Sequence, residues 1–300
     1  MSTQPPMAWV GDRIVPRAEA MVPLDDFAVR YGAACFETML VRNRAVFRLE
    51  AHLARLAYGL RGMGADPPST EAVRTAIDAT LRANGLVNAS LRLEVSAGSG
   101  HTPDLDAVTS PLLTLTAGPL TLPPGPPRLR IVSVRLDEHR PLHQAKTANF
   151  LTYLLARREA RHAGADDALL LNHAGEVAEA ATSNVFILLR DILVTPDTDA
   201  GPISGITRAA VIEVARSLAI PVEERRVTLH DLGRADAVLL TNSIAGILPV
   251  AAVEGDRPAS PELVDWRPSA TPSRVVARLN AEYEALVAEE CGIARRGGGA

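Results

Sequence analysis

The single lysine of the chain is the residue whose type most directly suggests chemistry. The sequence of 300 residues contains 31 lysines and arginines, and Lys146 is the only lysine among them. Arginine serves for surface charge as well as lysine does, but its guanidinium stays protonated and cannot act as an amine nucleophile. Keeping one primary amine therefore suggests Schiff-base chemistry at Lys146. A chance surface lysine explains the count equally well.

An aldehyde cofactor such as pyridoxal phosphate, bound at Lys146, would need further groups around it. Its phosphate needs backbone N–H groups at a helix start, hydroxyl groups and an arginine, and residues 204–207, SGIT, lead straight into an amphipathic helix. Its pyridine nitrogen needs a carboxylate that keeps the ring protonated, and Glu179 follows a short predicted strand among small residues. The alternatives are that Thr207 is only a helix cap and Glu179 only a solvated carboxylate.

Other polar residues lie where a ligand or a metal could bind. Residues 241–243, TNS, place hydroxyl and amide groups at the end of an apolar strand, which is typical of a ligand-binding loop. Arg55 lies in an otherwise apolar helix, although a helical arginine by itself usually faces solvent. His139 and His143 are spaced i, i+4, but Pro141 between them is incompatible with a helix, so no metal site is predicted.

Composition and charge narrow the class of protein. Hydrophobic residues make up 47% and charged residues 22% of the chain, which is the balance of a globular protein and excludes extensive disorder. No apolar run is long enough for a membrane span, and the N-terminal sequence MSTQPPMAWVGDR does not resemble a signal peptide. The net charge of −4 argues against a nucleic-acid surface. Two cysteines give no disulfide or zinc framework, so a cytoplasmic location is expected.

Length and hydrophobic pattern predict two domains that position these residues. Residues 1–120 form a smaller N-terminal domain, the proline-rich residues 121–129 a linker, residues 130–292 a larger C-terminal domain, and residues 293–300 a disordered tail. The predicted strands are Ala8–Val10, Ile14–Val15, Cys35–Val41, Ala45–Arg48, Leu91–Ser96, Leu112–Ala117, Leu129–Val134, Ala168–Leu171, Glu176–Ala178, Asn184–Leu189 and Val238–Thr241. The predicted helices are Glu50–Met63, one that begins at Ser69 or Thr70 and ends at Gly85, Thr147–Ala163, Thr207–Leu218 and Pro272–Glu290.

Five sequence segments, in order, resemble those of a known enzyme family between Trp9 and Gly255. They are YGAACFETMLVRNRAVFRLEAHLARL, KTANFLTYLLARREA, GEVAEAATSNVF, SGITRAAV and TNSIAGILPV. The chain resembles the class IV, fold-type IV pyridoxal-phosphate enzymes, which include branched-chain aminotransferases, D-amino-acid aminotransferases and 4-amino-4-deoxychorismate lyases. The resemblance implies a two-domain α/β (α+β) fold like that of D-amino-acid aminotransferase, with pyridoxal 5'-phosphate in the cleft between the domains. It also implies a homodimer acting on a small-molecule amino substrate.

The same resemblance implies a role for each site residue. Lys146 would form the Schiff base and then transfer protons, and Glu179 would pair with the pyridinium nitrogen. The phosphate would be bound by Arg55, by the backbone amides of Ile206 and Thr207, and by the Ser243 hydroxyl. The residues implied at the substrate are Tyr31 and Phe36, which shape the pocket, Ile244, whose N–H holds a carboxylate, Asn242, and Arg92, which either binds a second carboxylate or is only a structural strand residue.

A few sequence positions bear on which of two reactions the chain catalyses. Thr38 in the FET motif places a hydroxyl where lyases carry one near the lysine, and the TNSIAGILPV segment with Asn242 also favours a lyase. The YGAA sequence departs from the FGDG element of many lyases, and Phe150 replaces a tyrosine that bonds the cofactor's 3'-oxygen in branched-chain enzymes. We therefore expect an aminodeoxychorismate lyase, with a class IV aminotransferase as the alternative. A non-catalytic cofactor-binding protein is a remote third possibility.

Overall fold

The chain divides into two compact units. The computed structural model describes residues 5–256, 263–268 and 273–293. One unit contains Met1–Thr121, Ala145–Asn149 and Leu286–Ala300, and the other contains Leu122–Gln144 and Phe150–Ala285. The segment that carries Lys146 therefore groups with the first unit, although the sequence predicts it in the C-terminal domain. Residues 294–300 of the predicted tail lie outside the described residues.

The first unit is built on an antiparallel sheet. Its strands are β1 (Met7–Val10), β2 (Arg13–Pro16), β3 (Ala34–Arg42), β4 (Ala45–Val46), β5 (Ala89–Ser96) and β6 (Leu113–Gly118). The six strands have the order β2-β1-β6-β5-β3-β4, and every neighbouring pair is antiparallel. Its helices are α1 (Phe27–Tyr31), α2 (Leu49–Gly62) and α3 (Thr70–Ala83).

Alternation along the strands separates a core face of this sheet from a polar face. In β5, Leu91 and Leu93 are buried on one face, which leaves Arg92 and Glu94 on the other. The α3 helix starts where the sequence predicts, because the Ser69 side chain caps it by accepting a hydrogen bond from the Ala72 N–H. The polar face of β3 and β5 carries Phe36 and Arg92, two of the predicted substrate-binding residues, and Thr38.

The second unit contains two five-stranded sheets. Its strands are β7 (Arg128–Leu136), β8 (Asp167–Asn172), β9 (Val177–Ala180), β10 (Asn184–Leu189), β11 (Ile192–Pro196), β12 (Val222–Arg225), β13 (Ala237–Asn242), β14 (Gly246–Pro249), β15 (Ala252–Asp256) and β16 (Leu263–Trp266). The sheet orders are β12-β11-β10-β13-β14 and β16-β15-β7-β8-β9. The helices are α4 (Leu151–His162), α5 (Ile206–Ser217), α6 (Leu229–Gly233) and α7 (Arg274–Glu290), and the division into units falls within α7.

The inner strand β8 is buried on both faces, which explains its continuous apolar sequence. Leu169 and Leu171 belong to a hydrophobic core to which both five-stranded sheets contribute. Ala168 and Leu170 belong to a second core that includes residues of α4. This second core also contains Tyr153 and so places one end of α4 beside strand β9.

Two predicted boundaries are wrong. The helix predicted from Thr147 begins only at Leu151, because residues before it pair in extended form with β3. The predicted linker overlaps β7, which begins at Arg128. The start of the last predicted helix, Pro272, lies outside the described residues, and the described helix runs Arg274–Glu290. The predicted mixed α+β fold is confirmed.

Candidate active site

Lys146 lies on a short extended segment at the free edge of β3 in the first unit. The Phe36 N–H donates to the Lys146 carbonyl at 2.9 Å, and the Ala148 N–H donates to the Ala34 carbonyl at 2.7 Å. Together with a bridge between Cys35 and Thr147, these bonds fix the backbone on both sides of the lysine. The side chain is half-buried, and its Nζ lies 4.7 Å from the centroid of the Phe36 ring. The backbone that carries the predicted amine is therefore fixed by hydrogen bonds to the edge of β3.

The polar face of the sheet brings four of the predicted residues together. Phe36 and Thr38 lie on the same face of β3, because strand residues two apart point the same way. Arg92 lies opposite Thr38 in the strand register, and its guanidinium carbon is 3.9 Å from the Phe36 ring centroid. Arg92 also donates to Glu94 Oε2 at 2.8 Å. The Lys146 amine and the Arg92 guanidinium thus both lie against the Phe36 ring, and Thr38 is on the same strand face.

The opposite face of β3 holds Arg55 in a buried ion pair that the sequence did not predict. Arg55 Nε donates to Glu37 Oε1 at 2.8 Å and Nη2 donates to Oε2 at 2.5 Å. His52 Nδ1 lies 2.6 Å from Glu37 Oε2. Burial alone would raise the pKa of Glu37, but the charge and hydrogen bonds of Arg55, with those of His52, hold that pKa below its ordinary value. The guanidinium predicted to bind phosphate is therefore oriented by a fully buried carboxylate.

We expect Glu37→Gln to lower the free energy of unfolding by about 3 kcal/mol at neutral pH, because it leaves a buried guanidinium without its counter-charge. The folded pKa of Glu37 is lowered, so its contribution to stability is present above the ordinary carboxyl pKa and is lost as the pH falls through the folded value. The deficit should therefore shrink in acid. Urea unfolding at neutral pH and in acid measures it.

The matched control is Glu50→Gln, which breaks an exposed pair with Arg74. Side-chain exposures of 57% for Arg74 and 67% for Glu50 predict a loss below about 1 kcal/mol. An equal loss in the two variants would show that the Glu37 pair does not stabilise the fold.

Glu179 lies within strand β9 of the second unit and is almost fully buried, with 3% of its surface exposed. Its Oε1 accepts hydrogen bonds from the Tyr153 hydroxyl at 2.7 Å and from the Ile203 N–H at 3.1 Å. Its Oε2 accepts from Asn184 Nδ2 at 3.3 Å. The alternative of a solvated carboxylate at a strand end is therefore wrong. A buried carboxylate with several donors is suited to remain charged.

The predicted phosphate-binding residues lie at the start of α5. Ile206 and Thr207 open the helix, where the first backbone N–H groups have no partner within the helix. Gly205 is the residue before it, and a Cβ built there would overlap Asn184 Oδ1. Asn184 cannot move aside easily, because its Nδ2 also donates to the Ile203 carbonyl at 2.9 Å. Only glycine fits at this helix start, next to backbone N–H groups of the kind that bind an anion.

We expect Gly205→Ala to weaken cofactor binding at least tenfold and to reduce stability by about 1–3 kcal/mol, because the methyl group must displace Asn184 from its hydrogen bonds. Cofactor titration of the apoprotein and thermal unfolding measure the two effects. Gly233→Ala is the control, since nothing lies within 4 Å of a Cβ at that position. Similar behaviour of the two variants would contradict the proposed crowding at Gly205.

Asn242, the last residue of β13, stabilises the loop that follows the strand. Asn242 Oδ1 accepts hydrogen bonds from the Ile244 N–H at 3.0 Å and the Ala245 N–H at 2.8 Å. Its Nδ2 donates to the Ser183 hydroxyl at 3.0 Å. Asn242 thus forms an Asx-type turn. The Ile244 N–H is already donated within that turn, so its role toward a substrate carboxylate stays a prediction, as does that of the half-buried Ser243.

Tyr31 and Phe150 each pack against another aromatic side chain. Tyr31 is 46% exposed at the end of α1, and its ring packs edge-on against Phe27 with centroids 4.9 Å apart. Phe150 stacks on Tyr153, with ring centroids 4.4 Å apart. Neither contact tests the predicted role of Tyr31 at the pocket or identifies the group that bonds the cofactor's 3'-oxygen.

Within the described parts of the chain, no three His, Cys, Asp or Glu side chains are placed to hold a metal ion together. Among the same residues, no helix has the length and apolar character needed to cross a membrane. Each unit carries its own groups: the first has the Lys146 amine, and the second has the buried Glu179 carboxylate and the start of α5. Groups of these types are the ones that an aldehyde cofactor with a phosphate and a basic ring nitrogen requires.

Comparison with known proteins relates the chain to one enzyme family. The sequence profile of the class IV amino-transferases matches residues 34–253. A putative branched-chain-amino-acid aminotransferase of Methanocaldococcus jannaschii is 33% identical over 253 residues, which are 82% of this chain and 88% of that protein. The structure of a putative 4-amino-4-deoxychorismate lyase from Legionella pneumophila superimposes with a TM-score of 0.81 at 25% identity, over 90% of this chain and 97% of that chain.

A third similar protein was solved with a derivative of the cofactor. The T.th. branched-chain amino acid aminotransferase, complexed with N-(5'-phosphopyridoxyl)-L-glutamate, has a TM-score of 0.82 at 26% identity. The match covers 98% of this chain and 96% of that chain. The fold and the matching sequence profile define a fold-type IV pyridoxal-phosphate enzyme. The chain belongs to the class IV aminotransferase family.

Proposed function

We propose that Lys146 binds pyridoxal phosphate covalently and acts as the proton-transfer base. Glu179 pairs with the ring nitrogen, and Arg55, the α5 start and Ser243 hold the phosphate. Bound pyridoxal phosphate supplies an electron-withdrawing ring that stabilises negative charge developing on the substrate. Support comes from the fixed backbone around the lysine, from the hydrogen bonds to buried Glu179 and from the helix start at Gly205, where only glycine fits.

The reaction that we propose is the conversion of 4-amino-4-deoxychorismate to 4-aminobenzoate and pyruvate. The observation that carries this choice is the position of Thr38, which lies on the same face of β3 as Phe36, the residue whose ring Lys146 contacts. An elimination needs a base to remove a proton and a second group to return one near the departing pyruvate unit. Lys146 and Thr38 supply that pair, and formation of an aromatic product drives the step.

A class IV aminotransferase is the second candidate, and a different observation favours it. The Arg92 guanidinium lies on the same ring as the lysine amine, where it is suited to bind a carboxylate of an amino acid substrate. The M. jannaschii relative also carries an aminotransferase name. In this reaction Lys146 would move the proton from the substrate to the cofactor, and a keto acid would leave.

The deciding experiment follows 4-aminobenzoate fluorescence after addition of enzymatically made aminodeoxychorismate, with the visible absorbance of the bound cofactor recorded in the same sample. Release of 4-aminobenzoate with the absorbance retained supports the lyase. If there is no release, and an amino acid donor instead removes that absorbance, the enzyme is an aminotransferase.

We expect Thr38→Val to slow 4-aminobenzoate release about tenfold or more, because the variant keeps the shape of the side chain and loses the hydroxyl. Thr75→Val, at an exposed position of α3, is the matched control and should not change the rate. Equal rates in the Thr38 variant and the wild type would remove the hydroxyl from the reaction.

We also propose that the enzyme is a homodimer. Leu151 and Leu154 of α4 are 62% and 58% exposed, and Leu155 beside them is 38% exposed. Adjacent exposed leucines of this kind mark a surface suited to association. Light scattering of the holoenzyme at micromolar concentration measures the mass, and a monomer mass would contradict the proposal.

A further inference from the structure

Three polar side chains in the second unit form a hydrogen-bonded row that ends at Glu179. Arg140 Nη2 donates to the Tyr153 hydroxyl oxygen at 3.0 Å. The Tyr153 hydroxyl in turn lies 2.7 Å from Glu179 Oε1. Tyr153 is 6% exposed, and its ring stacks on Phe150 within the core beneath α4. The row therefore connects a loop arginine to the carboxylate proposed to hold the cofactor ring.

The direction of each hydrogen bond is fixed by the chemistry of the groups. A guanidinium has only donors, so the Tyr153 oxygen must act as the acceptor toward Arg140. The single hydroxyl hydrogen is then left for Glu179, where it meets a carboxylate oxygen. Burial, followed by the nearby Glu179 charge, raises the pKa of Tyr153 well above its ordinary value, so this hydrogen stays in place at any working pH.

Arg140 is held in position by backbone carbonyls. Its Nη1 donates to the Asp137 carbonyl at 2.9 Å and to the Gly201 carbonyl at 3.0 Å. Its Nη2 also donates to the His143 carbonyl at 3.2 Å. A guanidinium fixed on three carbonyls keeps its positive charge close to the Tyr153 oxygen, which strengthens that hydroxyl as a donor.

We propose that Tyr153, supported by Arg140, is a positioning residue that keeps Glu179 charged and so keeps the shared proton on the ring nitrogen of the cofactor. This inference rests on the proposed role of Glu179. Hydrogen bonds to a carboxylate stabilise its charged form and lower its affinity for a proton. Without the Tyr153 hydroxyl, the proton shifts toward Glu179, and the ring becomes a weaker electron acceptor.

The test uses Tyr153→Phe holoenzyme and two cofactors, pyridoxal phosphate and its deaza analogue with carbon in place of the ring nitrogen. The expected result is a fall in kcat of about tenfold with little change in KM, since one hydrogen bond to a charged group is lost. The dissociation constant of pyridoxal phosphate should rise about tenfold, while that of the deaza analogue stays unchanged. Arg140→Met should act in the same direction by a smaller factor.

Tyr58→Phe is the matched control, because Tyr58 is 48% exposed on α2 and should change neither constant. If Tyr153→Phe weakens the binding of both cofactors equally, the tyrosine contributes only to packing, and the inference is overturned. Unchanged binding of both cofactors overturns it as well.

Glu179→Gln, measured in parallel, separates this inference from the proposed function. One outcome is that Glu179→Gln weakens the binding of pyridoxal phosphate but not that of the deaza analogue. If Tyr153→Phe then leaves the binding of both cofactors unchanged, only the role of Tyr153 fails. If Glu179→Gln does not distinguish the two cofactors, the assignment of Glu179 to the ring nitrogen fails, and the inference about Tyr153 fails with it.

Discussion

Lys146→Ala is expected to abolish turnover, with a loss on the order of 10⁴-fold or more, and to remove the visible absorbance of covalently bound cofactor. The physical reason is that the chain has no other lysine to supply the amine. The amine is also placed by its backbone, because the Phe36 N–H and the Ala148 N–H bond the segment to β3. Steady-state kinetics and an absorbance spectrum measure both effects.

Lys146→Arg is the matched control for charge. It keeps a cation near the Phe36 ring, yet it has no amine that can attack an aldehyde. The arginine variant should therefore be as inactive as the alanine variant, and a small added amine should restore part of the activity in both. Turnover retained by Lys146→Ala would contradict the proposed mechanism.

Borohydride reduction of the wild-type enzyme offers an independent check on the same lysine. Reduction makes the bond between an amine and the cofactor permanent, so peptide mass analysis locates it. The modified peptide should contain residue 146. Modification of any other peptide would show that the amine of this lysine is not the point of attachment.

The lysine could be predicted from composition, but its surroundings could not. Its uniqueness among the basic residues is visible in the sequence. The apolar pattern after it continues smoothly into a helix, so the sequence places the helix start at Thr147. In the structure, Thr147 is bridged to Cys35, more than a hundred residues away. Nothing in the local pattern indicates such a pairing. The pairing overrides the helical propensity of the residues that follow the lysine.

The contacts that support the site residues were missed for the same reason. Glu37 lies in an apolar strand, and its partners His52 and Arg55 come from a helix that follows. The hydrogen bond between Tyr153 and Glu179 was not predicted either, because the two residues are 26 positions apart in the sequence. By contrast, Asn242 bonds amides only two and three residues ahead, so a local turn signal was available.

Strands at sheet edges were harder to predict than inner ones. The inner strand β8 has a run of apolar residues and was predicted to within a residue. The strand β12, with the sequence VEER, is partly exposed and has no apolar alternation. It forms because it pairs in parallel with β11, whose buried residues are fixed by the core. Such strands depend on a neighbour rather than on their own sequence.

Glu179→Gln is expected to lower kcat about 100-fold while the enzyme still binds pyridoxal phosphate. The neutral amide keeps the size of the side chain, and its oxygen can still accept from the Tyr153 hydroxyl and the Ile203 N–H. It cannot stabilise a proton on the ring nitrogen, so the ring withdraws electrons less strongly. KM should change only slightly. Kinetics combined with a cofactor titration separate the rate effect from a binding effect.

Glu176→Gln is the control for this substitution, because Glu176 lies just before the same strand and is partly exposed. Its carboxylate pairs with Arg226 at 3.1 Å, and 24% of its side chain is exposed, so the loss should remain small. A 100-fold difference between the two variants would place the ring nitrogen at Glu179. If the two variants behave alike, the carboxylate has no part in the chemistry, and the hydrogen bonds from Tyr153 and Asn184 to Glu179 stabilise only the fold.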